Sequence, residues 1–236
     1  MNFYQIILLI IFYLGHSFSY AEKPKLKVAY IDFPPFYTQD SGGHAQGFLS
    51  DRVAAITKIA GYEIEMNLRP VKRMIHEIVQ GDLDVWMGAS GFPEFKDTTL
   101  IGKNIFTTLE LKAYSLNNIS QIQKKEDLRG KKVILMSGYS YGGWITFLQD
   151  PANQISITEA RSTDQALRLL RSQSRGDILL HYSTPVEFEL KKNPIVDLQS
   201  TLLTKVETHI VVSKKNPDSE KILQKLEDAL LQIDKK

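Results

Sequence analysis

The feature that most narrows what this chain can fold into is an alternation of strand and helix patterns. It runs through twice and leaves one strand and one helix over. The first run opens at Lys25–Ile31, which alternates loosely as a strand does. "GFLSDRVAAITKIAG" follows, with Phe48, Leu49, Val53, Ile56 and Ile59/Ala60 at helical spacing and Gly61 in the stop position. "YEIEMNL" (62–68) alternates strictly. "RPVKRMIHEIVQG" then puts Pro70 in a first turn, Val71, Met74, Ile75, Ile78 and Val79 on one face, and Gly81 at the end. "DLDVWMGA" is a short strand. The pattern restarts with "KKVILMSG" as a strand, "YGGWITFLQD" as a short helix, "TDQALRLLRSQ" as a helix and "GDILLHY" as a strand. "VETHIVVSKK" and "NPDSEKILQKLEDALLQI" are the remaining strand and helix, with Asn216 as N-cap and Pro217 near the first turn. Alternation of this kind predicts an α/β fold of mostly parallel sheets covered by helices.

Composition removes several classes of function. A formal charge of +2 over 236 residues, with no run of Lys or Arg, gives no nucleic-acid footprint. The chain has no cysteine, which excludes disulfides, thiol catalysis, Cys-ligated metal and bacterial lipid attachment. The histidines at 16, 44, 76, 181 and 209 form no i, i+4 pair, so neither a metal nor a cofactor is expected. Residues 5–14, "QIILLIIFYL", are almost unbroken apolar but short for a membrane span. With Ser19-Tyr20-Ala21 after them they predict a signal peptide, 1–21, cut after Ala21. The mature product is then expected in the periplasm.

Three strand exits hold the candidate site residues. In "AYIDFPPFY", Pro34-Pro35 stiffens the chain and ends pairing, so Phe33, Phe36 and Tyr37 can stand at the mouth of a crevice outside the strand ends. Asp32 beside them reads equally well as a turn-forming carboxylate. In "LMSGYSYGGW", a strand leads through glycines to a helix start, where backbone N–H groups favour an anion, helped by Tyr139, Ser140 and Tyr141. "GASGFPEFKD" carries Ser90 and one cation, Lys96. Arg73 lies opposite the apolar stripe of its helix, and His181 ends an apolar strand, where a satisfied polar group is the ordinary outcome. Gly138-Tyr139-Ser140-Tyr141-Gly142 spells Gly-x-Ser-x-Gly, and no carboxylate pair is made compelling by its spacing.

In order along the chain, "LKVAYIDFPPFY", "GFLSDRVAAITKIAG", "IVQGDLDVWMGA", "FPEFKD", "EDLRGKKVILMSGYS", "ALRLL", "GDILLHYSTP" and the closing "HIVVSKKNPDSEKILQKLEDALLQI" resemble solute-binding protein family 3. These are the extracellular binding proteins of polar amino-acid-type ABC importers. The resemblance implies a two-lobed periplasmic-binding-protein-like fold. Its boundaries would be 22–110 and 206–236 for lobe one and 111–205 for lobe two, with hinges near 109–115 and 202–206. It further implies capture of a solute by cleft closure, an inner-membrane permease as partner, a monomer, and no enzymatic activity. A lyase or dehydratase on the same fold, or a ligand-presenting sensor, are the rival readings.

The same resemblance marks two departures. Family members hold an amino acid's α-carboxylate with an Arg where this chain has Lys96, or Phe95 on a one-residue slip. They present an acid to the α-ammonium where this chain has Tyr182. Half of the zwitterion clamp is therefore missing, which points to a polar or anionic solute, or an aromatic one, other than a standard α-amino acid. The resemblance also brings Arg73, through "RPVKRM", near the cleft.

Overall fold

The computed structural model describes residues 23–117, 122–173 and 175–235. The signal-peptide reading falls on residues outside these. Eleven strands and six α-helices are seen among the described residues. The apolar periodicities become β1 (Lys25–Tyr30), α1 (Phe48–Ile59), β4 (Glu63–Leu68), α2 (Val71–Gln80) and β5 (Val85–Gly88). A two-stranded hairpin, β2 (Thr38–Gln39) with β3 (Ala45–Gln46), lies between β1 and α1. β6 (Thr99–Ile101) and β7 (Thr107–Ser115) follow. The second run gives β8 (Lys132–Met136), α3 (Ile145–Gln149), β9 (Ser156–Ala160), α4 (Thr163–Ser172), β10 (Ile178–Tyr182) and α5 (Ser183–Leu190). β11 (Gln199–Ser213) and α6 (Ser219–Asp234) complete the chain.

The main sheet runs β4-β1-β5-β11-β7-β10-β8-β9, with β6 also on β11. Pairing is parallel inside each half, β1 with β4 and β5, and β8 with β9 and β10. It turns antiparallel where β7 and β11 join the halves. β11 is the element that spans both. Its first part pairs with β7 as far as Thr208↔Thr107, and its last part pairs with β5 from His209↔Gly88. The ladder with β7 shifts register between Leu202 and Thr204. This is the two-lobed periplasmic-binding-protein fold, with the two lobes joined through β7 and β11.

Helix faces follow from spacing. In α1 Leu49, Val53 and Ile56 are buried, whereas Phe48, one residue off that stripe, is 65% exposed. α2 buries Val71, Met74, Ile75 and Ile78 and stops at Gly81 in the left-handed conformation (φ 85°). Pro70 caps this helix from outside rather than sitting in its first turn. The N-cap of α6 is Asp218, two residues beyond the expected Asn216, because Asn216 is occupied elsewhere. Its Nδ2 donates to Asp84 Oδ1 at 2.7 Å and its Oδ1 accepts from the Asp218 amide at 3.0 Å.

Candidate functional site

A chamber of about 40 Å3 lies where the two lobes face each other, at the carboxyl ends of β1, β5 and β10. Phe33, Met74, Trp86 and Phe92 wall it on the first lobe; Tyr139, Ser140 and Tyr182 wall it on the second. Thr107, Leu109 and Thr208, from the two joining strands, form its floor. Among the described lining residues none is charged and none is histidine.

Each wall has a local cause. The proline corner is not extended, as its sequence suggests, but folded back. The amides of Phe36 and Tyr37 donate to Phe33 O at 2.9 and 3.0 Å, and Phe33 bridges to Tyr37. That turn aims Phe33 across the cleft, where its ring meets Tyr139 and Tyr182 edge-on at centroid separations of 6.0 and 5.9 Å. Tyr37 is fully buried and its hydroxyl donates to Met87 O at 3.1 Å. Trp86 Nε1 donates to Ala89 O at 2.8 Å, and Thr208 Oγ1 donates to Thr107 O at 2.8 Å. Ser140 differs. It is 2% exposed and its Oγ is buried without a hydrogen-bond partner.

In the glycine-rich turn after β8, three of the amides at the helix start are used within the turn. The amides of Gly143 and Ile145 donate to Ser140 O, and that of Trp144 to Tyr141 O, so the turn consumes them internally. Its glycines serve close approach. A Cβ on Gly91, in the first lobe, would lie 2.8 Å from the Gly143 nitrogen of the second. Burial raises the Tyr139 and Tyr182 hydroxyls above their ordinary pKa, which keeps both neutral hydrogen-bonding groups.

Of the residues singled out from sequence, Phe33, Tyr37, Tyr139, Ser140 and Tyr182 come together at the chamber. The others lie elsewhere. Phe36 packs on Phe33 at 5.4 Å behind the wall. Tyr141 is buried, with its hydroxyl accepting from the Met136 amide at 2.5 Å and its ring stacked on Tyr182. Asp32 is exposed at the cleft mouth. Ser90 lies outside the chamber lining. Arg73 points away to Glu77, with Nε 2.5 Å from Oε1. Lys96 is exposed, while Phe95 beside it is buried against Phe92 at 5.2 Å, so this segment brings a ring and not a cation to the site.

Met74, Trp86, Phe92, Thr107 and Thr208 belong to the chamber without having been singled out. The stripe of α2 and the apolar strand "DVWM" read as ordinary core.

No family model matches the chain, and no curated protein matches it. Solved structures do. Holo ArgBP from T. maritima is similar at a TM-score of 0.67 and 23% identity, covering 89% of this chain and 90% of that one. The GluR0 ligand-binding core in complex with L-glutamate gives a TM-score of 0.69 at 17% identity, covering 90% and 94%. AncCDT-1, an ancestral amino acid-binding protein and precursor of cyclohexadienyl dehydratase, gives 0.67 at 21%, covering 89% of each chain. The chain therefore has the fold of two-lobed periplasmic binding proteins. That is the fold which the sequence resemblance implies.

Proposed function

We propose that this protein is a periplasmic solute-binding protein that captures a small molecule between its lobes for an ABC-type importer. In this reading the lobes comprise 22–110 with 206–236, and 111–205, and they move about hinges near 109–115 and 202–206. The observation that carries it is Ser140: a buried hydroxyl without a partner, in an otherwise apolar chamber walled by both lobes. Leaving such a hydroxyl unpaired costs about 1–3 kcal/mol, and a solute that completes it recovers that cost on closure. The part of the solute that enters the chamber is uncharged and apolar, with one group able to bond Ser140. A charge placed there would meet no counter-ion among the lining residues. The anionic character expected from sequence is thus not matched inside the chamber.

Binding rather than catalysis is supported by the lining, which offers no carboxylate or imidazole as acid or base. The similar structures that hold arginine or L-glutamate support the same reading.

The test combines two readouts. A thermal-shift screen over amino acids, dicarboxylates, aromatic acids, alkanols and short peptides finds the solute, because a ligand of the native state raises Tm by mass action. Since the chain has no cysteine, one label introduced on each lobe then reports their separation. A stabilising solute is expected to shorten or sharpen that distance. A solute that raises Tm yet leaves the distance distribution unchanged overturns the reading.

A further inference from the structure

The geometry points to an amphiphilic anion as the solute, with a slender tail in the chamber, apolar but for the one group that bonds Ser140, and its charged head outside, in a cationic vestibule beyond Tyr139. This rests on the reading that the chamber binds a solute.

Size comes first. A cavity of about 150 Å3 accommodates benzene. The chamber encloses about 40 Å3, room for the end of a narrow chain and not for a whole molecule. Tyr139 lines the chamber and three grooves beyond it; the one whose cations outnumber its acids encloses about 540 Å3 and also shares Ile31 and Val71 with the chamber. Both lobes wall that groove, Asp32 and Arg69–Lys72 on one side and Met136–Ser137 with Arg161 on the other.

Charge comes second. Three cations, Arg69, Lys72 and Arg161, line the groove against one acid, Asp32. Their neighbours leave them under-compensated. Arg69 bonds Glu77 at 2.6 Å, but Arg73 bonds the same carboxylate at 2.5 Å, so one acid faces two guanidiniums. Lys72 Nζ is 3.9 Å from Glu159, whose Oε2 already accepts from Ser137 Oγ at 2.7 Å. The Arg161 amide bonds Gln165, while its guanidinium forms no ion pair among the described residues. A second groove on the far side of Lys72 carries Glu94, Asp150 and Glu159, which directs an anion to the first one. A carboxylate there keeps part of its hydration and gains Arg161, whereas inside the chamber it would be desolvated without a partner.

Asp32 gives the test its sign, because it opposes an anion and would favour an ammonium. Three probes with one tail, hexanoate, hexan-1-ol and hexylamine, are titrated calorimetrically into the full chain. Hexanoate is expected to bind at least tenfold tighter than hexan-1-ol, with hexylamine weakest. In Arg161→Ala the ratio of hexanoate to hexan-1-ol affinity falls toward one, and in Asp32→Asn it rises several-fold. If hexan-1-ol binds and hexanoate gains nothing, or the ratio is unmoved in Arg161→Ala, the vestibule is refuted while the chamber reading stands. Preference for hexylamine refutes it as well. Failure of all three to bind refutes the tail-in-chamber arrangement, while the chamber reading, whose solute also completes Ser140, is decided by the thermal-shift and distance measurements.

Discussion

At the scale of single residues, Ser140 makes the sharpest prediction because its effects on stability and binding have opposite signs. Its hydroxyl is buried and unpaired, so Ser140→Ala removes a desolvated polar atom without breaking a hydrogen bond. The variant alone is expected to melt at the same temperature as the parent or above it, while affinity for the solute found by screening drops several-fold. Unchanged affinity in calorimetry would remove Ser140 from the site. Ser140 was legible in sequence because it sits in a glycine-flanked turn after a strand; what no local pattern announces is that its hydroxyl is buried without a partner. Lys96 shows the opposite failure. Its charge drew attention in a segment otherwise made of rings, yet a lysine on an exposed turn satisfies itself in water, and its neighbours Phe92 and Phe95 turned inward.

At the scale of elements, β10 carries, one residue before its end, a histidine whose chemistry is set by its strand and by the helix packed on it. His181 is fully buried; its Nδ1 accepts from the Tyr182 amide at 2.8 Å, and its Nε2 lies 3.0 Å from Thr163 Oγ1 on α4. The accepting Nδ1 fixes the neutral Nε2–H tautomer, so the ring joins β10 to α4 without charge. Burial pushes its pKa down from 6.5 to about 3. Between those values the unfolded chain binds a proton that the native state refuses, so stability falls as pH drops below about 6.5. The slope is up to about 1.4 kcal/mol per pH unit. Denaturant midpoints measured from pH 7 to 4 should fall more shallowly in His181→Gln than in the parent, even though the variant starts less stable. Equal slopes would mean that His181 is protonated in the native protein. From sequence this histidine reads as a satisfied polar group, as its position in "DILLHY" suggests; the partner on α4 is a tertiary contact that no local pattern encodes.

At the scale of the whole molecule, the alternation of strands and helices carried the two lobes because each helix stripe and each buried strand is a local pattern. The joint between the lobes was less visible. Only the second part of β11, "VETHIVVSKK", reads as a strand, and its continuity from Gln199 to Ser213 emerges only when β7 and β5 supply partners along it. The close contact of Gly91 with Gly142 and Gly143 is likewise invisible locally, since nothing in "ASGF" announces what it will face. That contact is where closure can be tested without touching the chamber. Gly91 has no left-handed backbone to protect, so alanine there is locally tolerable, and the obstruction is the Gly143 nitrogen 2.8 Å away in the other lobe. Backbone cannot swing aside as a side chain can, so the lobes themselves must give way. An overpacked contact costs about 1–3 kcal/mol. If that cost falls on the closed form, Gly91→Ala weakens solute binding roughly 5- to 150-fold, which is the same free energy expressed as affinity. Labels on the two lobes should report a longer separation than in the parent at saturating solute. Each lobe should keep its own circular dichroism and core, because the added methyl enters neither. A variant that binds and closes like the parent would show that the lobes slide past this glycine contact, and that the chamber, not the backbone seam beside it, sets how far they come together.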